Sequence, residues 1–177
     1  MSLAILGIGA SGVIAVQKAT LLANTNAKNL ATANFIAESW IERLRTDALQ
    51  WNDPAGVPDL ASDTQFLKVA SVNPVWVIPP TVVPIGGSDA DVVGAEKLPT
   101  DPTPIAASAF CTQLRLTLFD PNTLSSYRKL IRTEVRVIWA RGGHPLDCPT
   151  LNPDDTLLRN DYGAVYLTSA VQQNTAP

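Results

Sequence analysis

The chain has 177 residues, of which 46% are hydrophobic and only 16% are charged, so it is long enough for one domain and too apolar to be disordered. It has 13 basic and 16 acidic residues, a formal net charge of -3, which argues against the basic surface of a nucleic-acid-binding protein. One histidine and two cysteines are too few ligands for a zinc ribbon or an iron–sulfur cluster, and we expect no metal and no cofactor.

The first predicted element is one continuous helix from Leu3 to about Asn52. Alanine and leucine recur throughout this stretch, and the first proline of the chain, Pro54, supplies the stop. A helix of about 50 residues is about 75 Å long, whereas the rest of the chain would fold to a radius of gyration of about 14 Å. We therefore predict that residues 1–29 project from a globular head formed by residues 30–177.

The C-terminal half of this helix is predicted to be amphipathic and to lie on a core. Apolar residues recur there at spacings of three and four; they are Leu30, Ala33, Ala37, Trp40, Ile41, Leu44, Ala48 and Trp51. Charged residues occupy the remaining positions. Among them, Arg43 and Asp47 are spaced as i and i+4, which predicts a solvated ion pair.

The N-terminal half has no polar face, since Ser11 is the only polar side chain from Leu3 to Val16. A helix that is apolar all round is surrounded by lipid or protein, but about 20 residues are needed to cross a bilayer. We therefore expect the membrane segment to begin upstream of Met1. The residues expected to pack in the membrane or against other helices are Leu3, Leu6, Gly7, Ile8, Gly9, Gly12, Val13 and Val16.

Gly7, Gly9 and Gly12 also match the G-x-G-x-x-G pattern of a dinucleotide-binding loop. That fold needs a second strand and an acidic residue about 20 positions further on, where this chain has Asn34 and Phe35 within the helical pattern. The glycines are better explained as small residues that let neighbouring helices approach closely. A nucleotide-binding enzyme remains the alternative.

Three later segments alternate between apolar and polar residues with a period of two, which predicts half-buried antiparallel strands. They are Cys111 to Phe119, Arg132 to Ala140 and Tyr162 to Val171. The amphipathic half of the helix would cover their apolar faces in a two-layer α+β head, with the sheet over residues 110–171. The residues expected in the core are Leu30, Ala37, Trp40, Ile41, Leu44, Leu116, Val135, Val137 and Trp139.

Residues 53–109 are predicted to form a proline-rich connector laid over an edge of the sheet, because frequent prolines permit extended loop and edge strands but no central strand. Within the connector, Asp89 and Asp91 could bind calcium through oxygen ligands, as could Asp154 and Asp155 after the second strand. We expect solvated polar loops at both places instead.

A hairpin of the first two strands would bring Cys111 close to the loop that carries Cys148, which predicts a disulfide and an oxidising compartment. The alternatives are two free thiols, or a metal site formed by these cysteines with His144 and Asp147. Because His144 is the single histidine and follows two glycines, we expect no catalytic residue and no enzyme activity.

Together these features resemble the type IV pilin superfamily. The resemblance to minor pilins of the PilV type is carried by Leu3 to Gly9 with Gly12 to Gln17, by Ile36 to Arg45, and by Arg132 to Trp139. It covers about 50 residues of the helix and is negligible over the connector. The family's cleavage motif, a glycine before an aromatic or methionine start with an acid five places on, does not occur, and Met1 to Leu6 align just after that acid.

The resemblance implies a pilin-like fold and a structural role. Such a protein would wait in the inner membrane of a bacterium with its head in the periplasm. It would then join other minor pilins, the major pilin and an adhesin in the tip complex that primes an extracellular pilus. No small-molecule substrate or nucleic acid is implied. The nearest alternative is a minor pseudopilin of a type II secretion system, which has the same architecture.

Overall fold

The structure, a computed structural model, describes residues 2–51, 60–79, 89–90, 94, 109–119, 130–141, 144, 146, 148 and 161–173, with side chains from Gly12 onward. The helices are α1 (Ser2–Gln50), α2 (Leu60–Asp63) and a short 3-10 helix (Leu67–Val69). The strands are β1 (Asp89–Ala90), β2 (Phe110–Phe119), β3 (Leu130–Ala140) and β4 (Tyr162–Gln172). One long N-terminal helix and an antiparallel sheet confirm the α+β prediction.

Helix α1 is continuous over 49 residues, which corresponds to about 74 Å, and it ends two residues before the predicted stop. Its side chains become buried only from Ala33, and this buried stretch ends with Trp51. Leu30 was expected in the core, but this is wrong because 48% of it is exposed. It lies almost one turn before Ala33, the first buried residue of α1, and Ile36 is a core residue that the predicted stripe omitted.

The sheet order is β1-β2-β3-β4, with every neighbouring pair antiparallel. Leu114 pairs with Val135, and Val135 pairs with Leu167, so apolar residues of the three long strands lie side by side on one face. The three predicted strands are confirmed to within two residues at every end.

The core lies between α1 and this face of the sheet, mainly over β3 and β4. The bulkiest contribution from α1 is Trp40, which packs edge-on against Phe66 with ring centroids 5.3 Å apart. The predicted core residues that are buried are Ala37, Trp40, Ile41, Leu44, Leu116, Val135, Val137 and Trp139. Since these eight have been removed from water, the hydrophobic effect holds helix and sheet together.

The opposite face of the sheet differs from the prediction. Strand β4 is half-buried as predicted, whereas β2 and β3 are buried over part of the outer face as well. Gln113, Glu134 and Arg136 on that face are 5%, 7% and 1% exposed. One cause is Trp76 of the connector, whose ring lies against the Arg136 guanidinium. Alternation showed which residues share a face, but it could not show that the polar face would be covered too.

The connector follows the outer edge of β2, as predicted. Val77 and Leu114 exchange two backbone hydrogen bonds of 2.8 Å, and Ser71 donates to Leu116 and accepts from Leu118. Further along, β1 pairs with the start of β2. Gly94 lies beside α1 with a φ of +84°, and a Cβ there would be 3.1 Å from the Thr32 methyl carbon, so a glycine suits this position.

The prediction that Asp47 is solvated is wrong. Asp47 is 5% exposed, and its carboxylate accepts three backbone N–H bonds of 2.8 Å from Gln65, Phe66 and Leu67. The carboxylate therefore caps the N-terminal end of the 3-10 helix, where N–H groups lack partners within the helix. Spacing along α1 could not reveal this contact because its partners lie 18 to 20 residues away.

The disulfide between Cys111 and Cys148 is present, with Cα atoms 5.6 Å apart. Both cysteines are buried with Ile138 in a small cluster behind the sheet, against which Leu146 and Tyr162 pack. The bond ties the segment after β3 to the start of β2, as the hairpin geometry predicted.

Candidate assembly surface

The part of α1 from Gly12 to residue 28 is exposed at every position. We call it the free segment. Its large apolar residues are between 57% and 67% exposed, and they are Val13, Ile14, Val16, Leu21 and Leu22. Because successive helical residues are turned by about 100°, Val13 and Ile14 point in different directions, so apolar side chains lie on more than one face of the free segment. Polar side chains, among them Gln17, Asn24 and Lys28, share one stripe beyond Val16. Large apolar side chains that a helix leaves exposed on several faces are typical of contact with lipid or with other protein chains.

The polar side chains of the free segment include two threonines that bond within the helix. The Thr20 hydroxyl donates to the Val16 carbonyl at 2.9 Å, and the Thr25 hydroxyl donates to the Leu21 carbonyl at 3.0 Å. A hydroxyl satisfied by the carbonyl four residues earlier needs no water. These threonines are therefore compatible with a surrounding of low polarity.

The structure places three of the predicted packing residues, Gly12, Val13 and Val16, on the free segment. Nothing lies within 4 Å of a Cβ built on Gly12, so the head gives no reason for a glycine there, whereas a close neighbouring helix would. The side chains of Leu3, Leu6, Gly7, Ile8 and Gly9 lie outside the described residues. Within the described residues, none of the helices combines the length and the hydrophobicity needed to cross a membrane.

The alternative dinucleotide-binding loop is not formed. The backbone of Gly7, Gly9 and Gly12 is helical within α1, whereas a phosphate-binding glycine loop needs a strand followed by a tight turn that exposes backbone amides. The helix continues for many turns beyond these glycines, and their own N–H groups lie inside it.

The possible metal site is also changed by the structure, because Cys111 and Cys148 are joined in the disulfide. The Nε2 atom of His144 lies 3.4 Å from the Oδ1 atom of Asp161, and the placement of Asp147 is outside the described residues. In the described parts of the chain, no three histidine, cysteine, aspartate or glutamate side chains are grouped to bind a metal. Of the aspartates that could have bound calcium, Asp89 lies in β1, whereas Asp91, Asp154 and Asp155 are outside the described residues.

One polar cluster was missed by the sequence analysis. On the outer face of β2 and β3, Glu134 accepts hydrogen bonds from Arg115 at 2.8 and 2.9 Å and from Arg132 at 2.8 Å. Hydrogen bonding from Arg115, which outweighs the opposing effect of burial, lowers the pKa of Glu134. The Arg136 guanidinium donates to the Gln113 side chain at 2.6 Å.

Trp76 closes this cluster, since its ring centroid is 4.7 Å from the Arg115 guanidinium carbon and 4.2 Å from that of Arg136. Cation–π contacts of this kind fix the connector on the sheet. The signal in the sequence was the alternation of charged residues along β3, but the position of Trp76 depends on tertiary contacts. The cluster therefore explains how the connector is held, and it gives no sign of chemistry.

An open groove of about 330 Å³ lies beside the cap at Asp47, lined by α1 and by Gln65 and Phe66. The Asp47 carboxylate in its lining is already bound to three backbone amides. The free segment, in contrast, is exposed at every position from Gly12 to residue 28.

Comparisons with protein-family models, curated proteins and solved structures found nothing that matches this chain.

Proposed function

We propose that this protein is a structural minor pilin. In this role the head stays folded outside the membrane, and the free segment of α1 is surrounded first by lipid and then by the helices of neighbouring subunits. The single observation that carries the proposal is the exposure of the free segment on every side while the C-terminal half of the same helix is built into the core.

Helix length gives the physical reason for this arrangement. The free segment and the core-forming segment belong to one rod, so the head cannot fold back over the apolar part without breaking α1. A move from lipid to a bundle of helices exchanges one apolar surrounding for another, which avoids exposing the free segment to water. The disulfide in the head agrees with an oxidising compartment.

The resemblance of the sequence to PilV-type minor pilins extends the proposal to the place of assembly. The protein would join the priming complex at the pilus tip with other minor pilins and the major pilin, and would help to present an adhesin. Before assembly it would reside in the bacterial inner membrane, with the head in the periplasm.

The test is incorporation into filaments in the source bacterium. Val16→Lys places a charge on the free segment, where a lysine in apolar surroundings costs about 2.5 to 3.5 kcal/mol. We expect at least about tenfold less of this variant in sheared pili, measured by immunoblot against the whole-cell amount. Gly12→Leu should also reduce incorporation, because the added side chain keeps neighbouring helices apart.

Leu49→Lys is the matched control, since Leu49 is 65% exposed and Val16 is 67% exposed on the same helix. It lies at the head end of α1 and should leave incorporation unchanged. Wild-type amounts of both Val16→Lys and Gly12→Leu in sheared pili would contradict the proposal, as would absence of the unmodified protein from them.

A further inference from the structure

The two edges of the sheet differ in whether another segment of the described chain pairs with them. The edge of β2 is covered by β1 and by the bridges at Ser71 and Val77. At the other edge, β4 pairs with β3 on one side. For residues 163–172, the described part of the chain contains no backbone hydrogen bond on the side away from β3.

The ladder between β3 and β4 shows which backbone groups face this open edge. Just beyond the ladder, the Arg141 N–H donates to the Asp161 carbonyl at 2.7 Å, in register with the pairs of the two strands. Hydrogen-bonded pairs alternate along an antiparallel ladder, so odd-numbered residues of β4 bond to β3. The N–H and C=O groups that point outward belong to Ala164, Tyr166, Thr168, Ala170 and Gln172.

These five residues are also the ones whose side chains are exposed. Their backbone N–H and C=O groups repeat every second residue along one line, and an extended chain presents its own N–H and C=O groups at the same spacing. The line of donors and acceptors therefore matches a β-strand better than it matches a compact ligand.

Strand β4 also lacks the features by which natural proteins block an open edge. It is 11 residues long, has no charged residue and no proline, and its register with β3 contains no bulge. Edge strands are usually short, charged, bulged or interrupted by proline. We propose that the open edge of β4 is a docking site for an extended segment of another protein, which adds to the sheet as a further strand.

A second copy of this chain is a poorer occupant. In a closed dimer, two identical edge strands pair antiparallel about a two-fold axis perpendicular to the sheet. This axis reverses the direction of the helix that each copy packs on the sheet. The two free segments would then point in opposite directions. This step rests on the proposed function, in which neighbouring subunits hold their free segments side by side.

The side chains near the edge indicate what the added strand would carry. Leu167 is only half-buried on the helix face of β4, and the neighbouring Ser169 hydroxyl is 3.3 Å from a nitrogen of Arg45. An apolar residue opposite Leu167 would complete its burial. On the outer face, Tyr166 is 54% exposed and offers a flat contact for a second side chain of the partner.

The experiment measures binding of a labelled synthetic peptide with the sequence of β3, Leu130–Ala140, to the full chain by fluorescence anisotropy. This peptide is a suitable probe because it is a strand that β4 already pairs with. We expect saturable binding with a dissociation constant below about 1 mM. The same peptide with alternate backbone amides methylated has lost the required donors, and it should not bind.

Thr168→Pro removes an outward N–H while leaving every β3–β4 hydrogen bond in place, a position at which edge strands accept proline. It should weaken peptide binding about fivefold to tenfold, the effect of one lost hydrogen bond. Thr168→Ala keeps the N–H and is the matched control, expected within about twofold of wild type. Unchanged thermal unfolding would show that the proline variant is folded, and the methylated peptide tests the edge without altering the protein.

Absence of saturable binding up to about 1 mM peptide would overturn the proposal, as would binding that neither the methylated peptide nor Thr168→Pro weakens. A dimer detected by analytical ultracentrifugation and abolished by Thr168→Pro would overturn the choice of partner. These measurements use no filaments, so a failure here leaves the incorporation result for Val16→Lys untouched.

Discussion

Asp47 joins two parts of the chain that are distant in sequence, α1 and the turn at residues 65–67, through three hydrogen bonds to one carboxylate. In Asp47→Ala these amide groups would lose their acceptor, and a buried donor left unpaired costs about 1 to 3 kcal/mol. We expect the free energy of unfolding to fall by about 3 kcal/mol, measured by urea denaturation with tryptophan fluorescence.

The matched control for Asp47→Ala is Glu42→Ala on the same helix. The Glu42 side chain is 67% exposed and pairs with Arg45 at the surface, so its removal should change the free energy of unfolding by no more than about 0.5 kcal/mol. Equal effects of the two substitutions would show that Asp47 does not hold the turn.

Glu134 gives the head a dependence on pH. Its pKa is lowered in the folded state from the ordinary value of 4.5. The resulting stabilisation is complete above the unfolded pKa and is lost as the pH falls through the lower folded pKa. Glu134→Gln should therefore be less stable than wild type at neutral pH, and the difference should shrink as the pH falls below about 4.5. Urea denaturation at a series of pH values measures this, and a difference that stays constant from neutral to acid would contradict it.

At the scale of elements, Gly163 sets how closely β4 approaches the indole of Trp139, its partner on β3. A Cβ on Gly163 would lie 2.2 Å from the Cε2 atom of Trp139, and this ring is buried. Gly163→Ala should lower the free energy of unfolding by about 2 kcal/mol, as expected for an overpacked core.

A double-mutant cycle separates the clash with Trp139 from any other loss of unfolding free energy that Gly163→Ala causes. In a Trp139→Leu background the ring atoms that clash are absent, so Gly163→Ala should cost less there than in wild type. The same cost in both backgrounds would rule out the contact with Trp139 as the cause.

Elements of this fold were predictable where a local pattern carries the information. Helix α1 followed from a long run of helix-favouring residues before Pro54, and β2, β3 and β4 followed from alternation with a period of two. The disulfide between Cys111 and Cys148 followed from the hairpin, because antiparallel pairing brings the start of one strand beside the end of the next.

Tertiary contacts decided the features that the sequence did not reveal. Spacing predicted a solvated Asp47, but the amide groups that it binds come from a different element. Leu30 fitted the apolar stripe, yet burial begins only at Ala33. The glycine pattern from Gly7 to Gly12 lies within a helix, and the outer face of β2 and β3 is buried partly because Trp76 lies over it. None of these contacts leaves a periodic signal in its own segment.

At the scale of the whole molecule, the two halves of the single helix α1 lie in different environments. Its C-terminal half belongs to the core of the head, and its free segment presents apolar side chains to whatever lies outside the head. If the protein is a pilin subunit, other molecules cover the free segment once it is assembled. Coverage of the free segment distinguishes a filament subunit from a globular protein whose long helix stays exposed to water.

Solvent access within assembled filaments tests this coverage most directly. Val16→Cys and Leu49→Cys place single thiols at positions that are exposed to almost the same extent in the isolated chain. Sheared filaments carrying either variant would be treated with a water-soluble maleimide, and the labelled fraction measured by mass spectrometry. We predict rapid labelling of Leu49→Cys and at least about tenfold slower labelling of Val16→Cys. Equal labelling of the two positions in filaments would contradict this prediction.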